Sequence, residues 1–267
     1  MPDPVQLHVH EWTSERPNGR TAVLVHGMNG WHRTWWRVGP ALAERGWRVL
    51  AVDQRGHGRS PRTGQAASLD DLAEDLAAAI GRHATPPIDL LVGHSLGAAV
   101  SLWLVHLRPD IAGRLVAEDP PSIDRTADEE FLAKVRADIA AARERPQEEL
   151  RREIAENPRW MEEDARQDVE GRAMADADGI VASLRWPRPF RVVDLAPQLE
   201  TPTLFILADP QRSVMLPEAR TALPGRLPAH SRVIEMDAGH TVHRDRFDEY
   251  LAAILAWAGE GTEPDRA

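Results

Sequence analysis

Four short apolar runs constrain what this chain can fold into. Thr21–His26, Arg48–Val52, Asp89–Val92 and Arg114–Ala117 are four to six residues long, too short for helices. Runs that are apolar on both faces read as strands buried on both sides of a sheet. Helical patterns separate them. Trp36–Arg45 is one, stopped by Gly46. A second starts at Ser68, a cap residue followed by Asp70 and Asp71, with Leu69, Leu72, Leu76 and Ile80 on one face. A third follows Gly97 and runs to about Leu107. Strand and helix in alternation predict an α/β fold with a mostly parallel sheet flanked by helices. Val5–Trp12 alternates in polarity and reads as an edge strand or hairpin.

The pattern changes after residue 121. Residues 122–195 are rich in Arg, Asp, Glu and Ala and read as helices over 127–156 and 160–182, closed by the breaker cluster Trp186-Pro-Arg-Pro189. Strand patterns return at Thr203–Leu207 and Arg232–Met236, and His243–Ala258 reads as a final helix. The expected organisation is a core of residues 1–121 and 196–258, a helical lid at 122–195, and a disordered tail at 259–267. A chain of 267 residues suits one large domain with an insertion.

Composition removes several functions. No cysteine is present, so thiolate metal sites, disulfides and a cysteine nucleophile are excluded. The formal charge of -10 argues against binding nucleic acid or an acidic membrane surface. Met1–Trp12 lacks the pattern of a secretory signal, and no apolar stretch reaches 18 residues, so the expected location is the cytoplasm.

The chemistry centres on Gly93-His94-Ser95-Leu96-Gly97, between a buried strand and an apolar helix. A serine in a sharp strand–turn–helix has its hydroxyl exposed above the sheet, as a nucleophile requires. The Leu96 N–H then lies at a helix N-terminus, suited to stabilising an oxyanion. A second donor is expected from His26-Gly27-Met28-Asn29-Gly30, with the Met28 N–H first and Gly27 N–H second. The expected base is His240, which follows the last strand in Asp237-Ala-Gly-His240, with His243 its nearest competitor.

With Asp53-Gln-Arg-Gly-His-Gly-Arg-Ser60, these three motifs in this order make the sequence resemble the α/β-hydrolase superfamily over about residues 20–120 and 200–258. The resemblance implies an eight-stranded sheet, a Ser-His-acid triad and a helical lid. It also implies that Asp53 belongs to a structural loop. The commonest family pattern puts the acid in the turn after the strand at 203–207. Aligned on Val214 or Pro217, that slot falls on Gln211, Arg212 or Ser213, none of them a carboxylate; Asp209 lies nearby but early. A second family solution puts the acid at the end of the strand before the lid, where Glu118 and Asp119 stand. Glu118 is taken first, with Asp119 and Asp209 as alternatives. Glu118-Asp119-Pro120 is also similar to zearalenone-type lactone hydrolases, which raises lactones as candidate substrates.

Nine tryptophans are unusual beside four Phe and one Tyr. Trp31, Trp35, Trp160 and Trp186 fall beside the oxyanion loop or in the lid and are expected to line a pocket for a bulky hydrophobic substrate. The expected activity is hydrolysis of a carboxylic ester or lactone of a hydrophobic small molecule, with no metal or organic cofactor. Carbon–carbon bond hydrolysis or perhydrolysis with the same triad is the alternative; a ligand receptor without turnover is a further one.

Overall fold

The computed structural model describes residues 3–122, 127–185 and 190–260. Its core elements begin with β1 (Val9–Trp12), β2 (Thr21–Val25), α1 (Val38–Ala43), β3 (Arg48–Val52), α2 (Leu69–His83), β4 (Leu90–His94), α3 (Leu96–Leu107) and β5 (Leu115–Glu118). An insertion follows, carrying α4 (Glu129–Glu144), α5 (Pro146–Glu156), α6 (Glu162–Met174) and α7 (Ala177–Leu184). The chain closes with α8 (Val192–Leu195), β6 (Thr203–Leu207), α9 (Pro217–Ala222), β7 (Arg232–Glu235), α10 (Val242–Asp245) and α11 (Phe247–Trp257).

The strands form one sheet in the order β1-β3-β2-β4-β5-β6-β7, with β1 antiparallel and the others parallel. The sheet thus has seven strands among the described residues, one fewer than expected. The apolar runs are its centre: Ala22–Val25, Leu90–Val92 and Leu115–Ala117 are fully buried. One face packs on α2 and α3, including Leu76, Ile80, Val100 and Leu104. The other packs on α1 and α11, including Leu42, Tyr250 and Ile254. Chain order reverses at the β2/β4 boundary, so the loops after β2 and β4 diverge and leave a crevice at the strand C-terminal ends.

Local signals account for the element boundaries. Ser68 caps α2, its hydroxyl accepting from Asp71 N–H while the Asp71 carboxylate accepts from Ser68 N–H. Each of the two long helices expected in the insertion is divided. Pro146 opens α5 and displaces Arg145 from helical geometry, and Asp176 ends one helix run and caps α7. The C-terminal helix is likewise split at Arg246.

Candidate active site

Ser95 sits between β4 and α3 with φ 52° and ψ −118°, a strained conformation for a residue with a side chain. The packing around it requires its glycines. A methyl group on Gly97 would overlap the carbonyls of Val25 and His26, and one on Gly93 would overlap the Gly97 carbonyl. The Ser95 N–H donates to the Glu118 carbonyl at 2.9 Å, which ties the turn to the end of β5.

The loop after β2 stands beside this turn, because Val25 and Gly93 are paired in the sheet. Gly30 N–H donates to the Gly27 carbonyl at 3.1 Å, and Asn29 takes φ 64°, a left-handed turn that Asn tolerates. Among the described residues no hydrogen bond uses the Met28 N–H. As the first residue of α3, Leu96 has an N–H with no intrahelical acceptor. Two unengaged donors therefore flank Ser95. His26 fixes this loop from behind. Gln54 N–H donates to its Nε2 at 3.0 Å, so Nδ1 carries the proton and donates to the Gly27 carbonyl at 2.7 Å. Burial, helped by the nearby His57 ring, pushes His26 down to about 3 and keeps it neutral.

His240 and Asp119 meet. His240 Nδ1 donates to Asp119 Oδ2 at 2.6 Å; the carboxylate can only accept, so the proton lies on Nδ1 and the Nε2 lone pair is left available. The Asp119 side chain is fully buried and that of His240 is 29% exposed. Three further donors hold Asp119: Ala208 N–H at 3.2 Å, Ser213 Oγ–H at 2.6 Å and Val214 N–H at 3.1 Å. Ser95 Oγ makes no hydrogen bond to another described residue. His94 ties the base to the serine turn instead: its Nε2 donates to the His240 carbonyl at 3.2 Å, and the two rings lie 4.7 Å apart.

Glu118, the first choice for the acid, pairs with a different histidine. It accepts from His243 N–H at 3.0 Å and from His243 Nδ1 at 2.8 Å, with both side chains buried. Burial pushes its carboxyl up, but the His243 and His94 rings and the His243 hydrogen bonds outweigh this and hold it at about 2. The cause is backbone geometry. Glu118 is the last residue of β5, and Asp119 turns to φ 39°, so the two side chains diverge. Asp209 does not reach His240; its Oδ1 accepts from Gln211 N–H at 2.9 Å in a local turn. Sequence reasoning missed Ser213. It is one of the three residues on which the acid slot of the commonest pattern can fall, and its hydroxyl donates to Asp119 at 2.6 Å.

The tryptophans are placed differently from expectation. Trp31 is 5% exposed and donates through Nε1 to the Gln167 carbonyl at 3.1 Å. Trp35 is fully buried against the His243 ring. Trp160 carries the Arg244 guanidinium 4.4 Å from its ring centroid. Trp31 and Trp160 pack the insertion onto the core, Trp35 lies within the core, and none of the three lines the cavity at Ser95. Trp186 lies outside the described residues.

That cavity measures about 460 Å³ and is mainly apolar. Ser95, Met28, Leu96, Leu72, Phe131 and Ile180 are among the residues that line it. The insertion is anchored on both sides of it. On one side, Trp36 Nε1 donates to Asp164 at 2.8 Å, and Asp168 bonds Arg244 at 3.0 Å. On the other, Asp176 N–H donates to the Gly56 carbonyl at 2.7 Å, and Ala67 N–H donates to Ser183 Oγ at 2.9 Å.

One group among the described residues places three metal-ligand atoms within 4.8 Å of one another: His8, His32 and Asp53. Asp53 is already engaged, accepting from His32 N–H at 2.5 Å, His32 Nδ1 at 3.0 Å and Arg59 N–H at 2.9 Å. The group thus joins the Asp53–Ser60 turn to His32. No helix among the described residues is long and apolar enough to cross a membrane.

Known proteins share parts of this sequence and its fold. The chain is 35% identical over 105 residues to an sn-1-specific diacylglycerol lipase of Mus musculus, covering 39% of this chain and 34% of that protein. It is 36% identical over 117 residues to the lipase LipV of Mycobacterium tuberculosis, covering 43% of this chain and 42% of that one. The matched stretches thus span less than half the length of these relatives. Among solved structures, an esterase from Exiguobacterium antarcticum superposes with a TM-score of 0.75 at 18% identity, covering 97% of this chain and 100% of that one. The family model described as the alpha/beta hydrolase fold matches residues 22–247, and the chain belongs to that family.

Proposed function

We propose that this protein is a serine hydrolase that cleaves a carboxylic ester or lactone of a hydrophobic small molecule. The observation that carries this reading is the Asp119–His240 hydrogen bond beside a strained Ser95 turn. Asp119 orients His240 and stabilises its imidazolium form; Nε2 takes the proton of Ser95 Oγ as the oxygen bonds to the substrate carbonyl carbon. The carbonyl oxygen becomes an oxyanion held by the Met28 and Leu96 N–H groups. When the intermediate collapses, the bond to the leaving oxygen breaks and His240 returns the proton to it. His240 then activates water, which attacks the acyl-serine, and the acid leaves with Ser95 restored. The lipases that share sequence with the chain support the ester reading. In this reading the helices over the cavity act as the lid.

Ser95→Ala should reduce hydrolysis of aryl and alkyl esters to the solvent background while the circular dichroism spectrum and melting temperature are retained. Wild-type turnover by this variant would overturn the reading. Product identification gives an acid and an alcohol if the bond cleaved is an ester.

A further inference from the structure

Ser95 lines the cavity and His240 does not. Met28 and Leu96 line it with Ser95, and so do Arg55, Thr63 and Leu184. This asymmetry, joined to the mechanism, has a stereochemical consequence. A tetrahedral intermediate on Ser95 has three further substituents. Its oxyanion faces the Met28 and Leu96 N–H groups. Its leaving oxygen must lie within hydrogen-bond reach of His240 to receive the proton. The acyl chain is thus left to point away from His240, toward the cavity.

We infer that the cavity binds an uncharged apolar acyl chain and that the alcohol of the substrate leaves on the His240 side. This assignment rests on the proposed hydrolase reading. Placement supports it, since the cavity is lined by α4, α7 and the Arg55–Ala67 loop, whereas His240 is outside its lining and partly open to solvent. Charge supports it too. Arg55, the cation in the lining, is paired with Asp75 at 2.6 and 2.8 Å. The carboxylates in the lining, Asp128 and Asp176, cap α4 and α7. Among the described lining residues, a carboxylate at the far end of the acyl chain would meet no cation without a partner carboxylate. Selectivity should therefore be steep in the acyl group and shallow in the alcohol.

The test uses two orthogonal ester series followed by acid release, with Ser95→Ala as the control. Each methylene buried in an apolar site is worth about a fourfold gain. From ethyl acetate through ethyl butanoate to ethyl octanoate, kcat/KM should rise at least tenfold; from ethyl to octyl butanoate it should change less than threefold. The half-ester ethyl hydrogen suberate should react at least tenfold more slowly than ethyl octanoate. Leu184→Trp and Thr63→Trp fill the cavity from two different elements, so one remains informative if the other misfolds. Each should lower the octanoate-to-acetate ratio at least tenfold. A steep alcohol series with a flat acyl series, or a ratio unmoved by both substitutions, would overturn the assignment while Ser95-dependent turnover upheld the hydrolase reading. If no ester is hydrolysed, that reading fails. The cavity is then tested by calorimetric binding of decanamide to the Ser95→Ala protein: binding weakened by Leu184→Trp supports an apolar-chain site, and binding that is absent or unmoved by it rejects one.

Discussion

Glu118 and Asp119 are neighbours in sequence, but they engage different histidines because the backbone turns between them. In the proposed mechanism Asp119 holds the His240 tautomer, and Glu118 anchors His243 and hence the start of α10, three residues beyond His240. Their substitutions should therefore separate. Asp119→Asn should lower kcat by about 10³–10⁴, the scale on which a triad fails when its histidine tautomer is wrong. Glu118→Gln should keep kcat within about tenfold and act on stability. With its folded value held near 2, the Glu118 carboxylate stabilises the fold fully above its ordinary value of 4.5. That stabilisation is lost as pH falls toward 2. At most it amounts to about 3 kcal/mol, so the difference in unfolding free energy between wild type and Glu118→Gln should shrink across pH 5 to 2. A large kcat loss for Glu118→Gln with a near-normal Asp119→Asn would reverse the two roles. The serine turn, His240 and the end of β5 as a source of carboxylate were legible in the sequence. Which of two adjacent acids meets His240 was not, because a positive φ at Asp119 has no signature in residue type.

At the scale of elements, the insertion is tied to the core by polar contacts more than by an apolar face. Arg172 of α6, 6% exposed, bonds Asp168 at 2.6 Å and also Glu153, and it lies 3.5 Å from Glu149. Asp168 in turn bonds Arg244 of α10. Removing one partner from a buried ionic group leaves the others uncompensated, at a cost of about 3–5 kcal/mol. Arg172→Met should lower the stability of the insertion by that order, seen as early proteolysis within residues 145–175 while β-sheet circular dichroism persists. Unchanged protease resistance would show that apolar contacts such as Leu132, Val135 and Ile180 suffice to hold the insertion. The helical character of this segment was legible from its composition, and its breaks at Arg145 and Asp176 follow from Pro146 and from a capping carboxylate. The role of the tryptophans was not legible. An indole near an oxyanion loop suits a substrate pocket and an inter-element joint equally, and only the partners of Trp31 and Trp36 across 128 or more residues distinguish the two.

Across the whole molecule, the crevice at the strand ends is built from histidines that burial keeps neutral. His26 and His94 both lie below the ordinary range, His26 at about 3, and both carry burial as the main cause. His26 holds the oxyanion loop through the Gly27 carbonyl, and His94 holds the His240 carbonyl. For a histidine whose folded value is lowered, the unfolded chain binds more protons between the two values. Stability is then full above about 6.5 and is lost as pH falls. Near pH 5 His26 stays neutral in the fold and becomes charged on unfolding, so it alone takes up about one proton; His94, His57, His8 and His10, whose values are also lowered, add in the same direction. From His26 alone the slope of stability with pH there should be about 1.4 kcal/mol per pH unit, before most carboxylates begin to titrate. Calorimetric unfolding at pH 5 in buffers of different ionisation enthalpy measures this uptake directly. An uptake near zero would mean that His26 is already charged in the folded protein. His26 would then have lost the lone pair that accepts the Gln54 N–H, and the oxyanion loop would need another support.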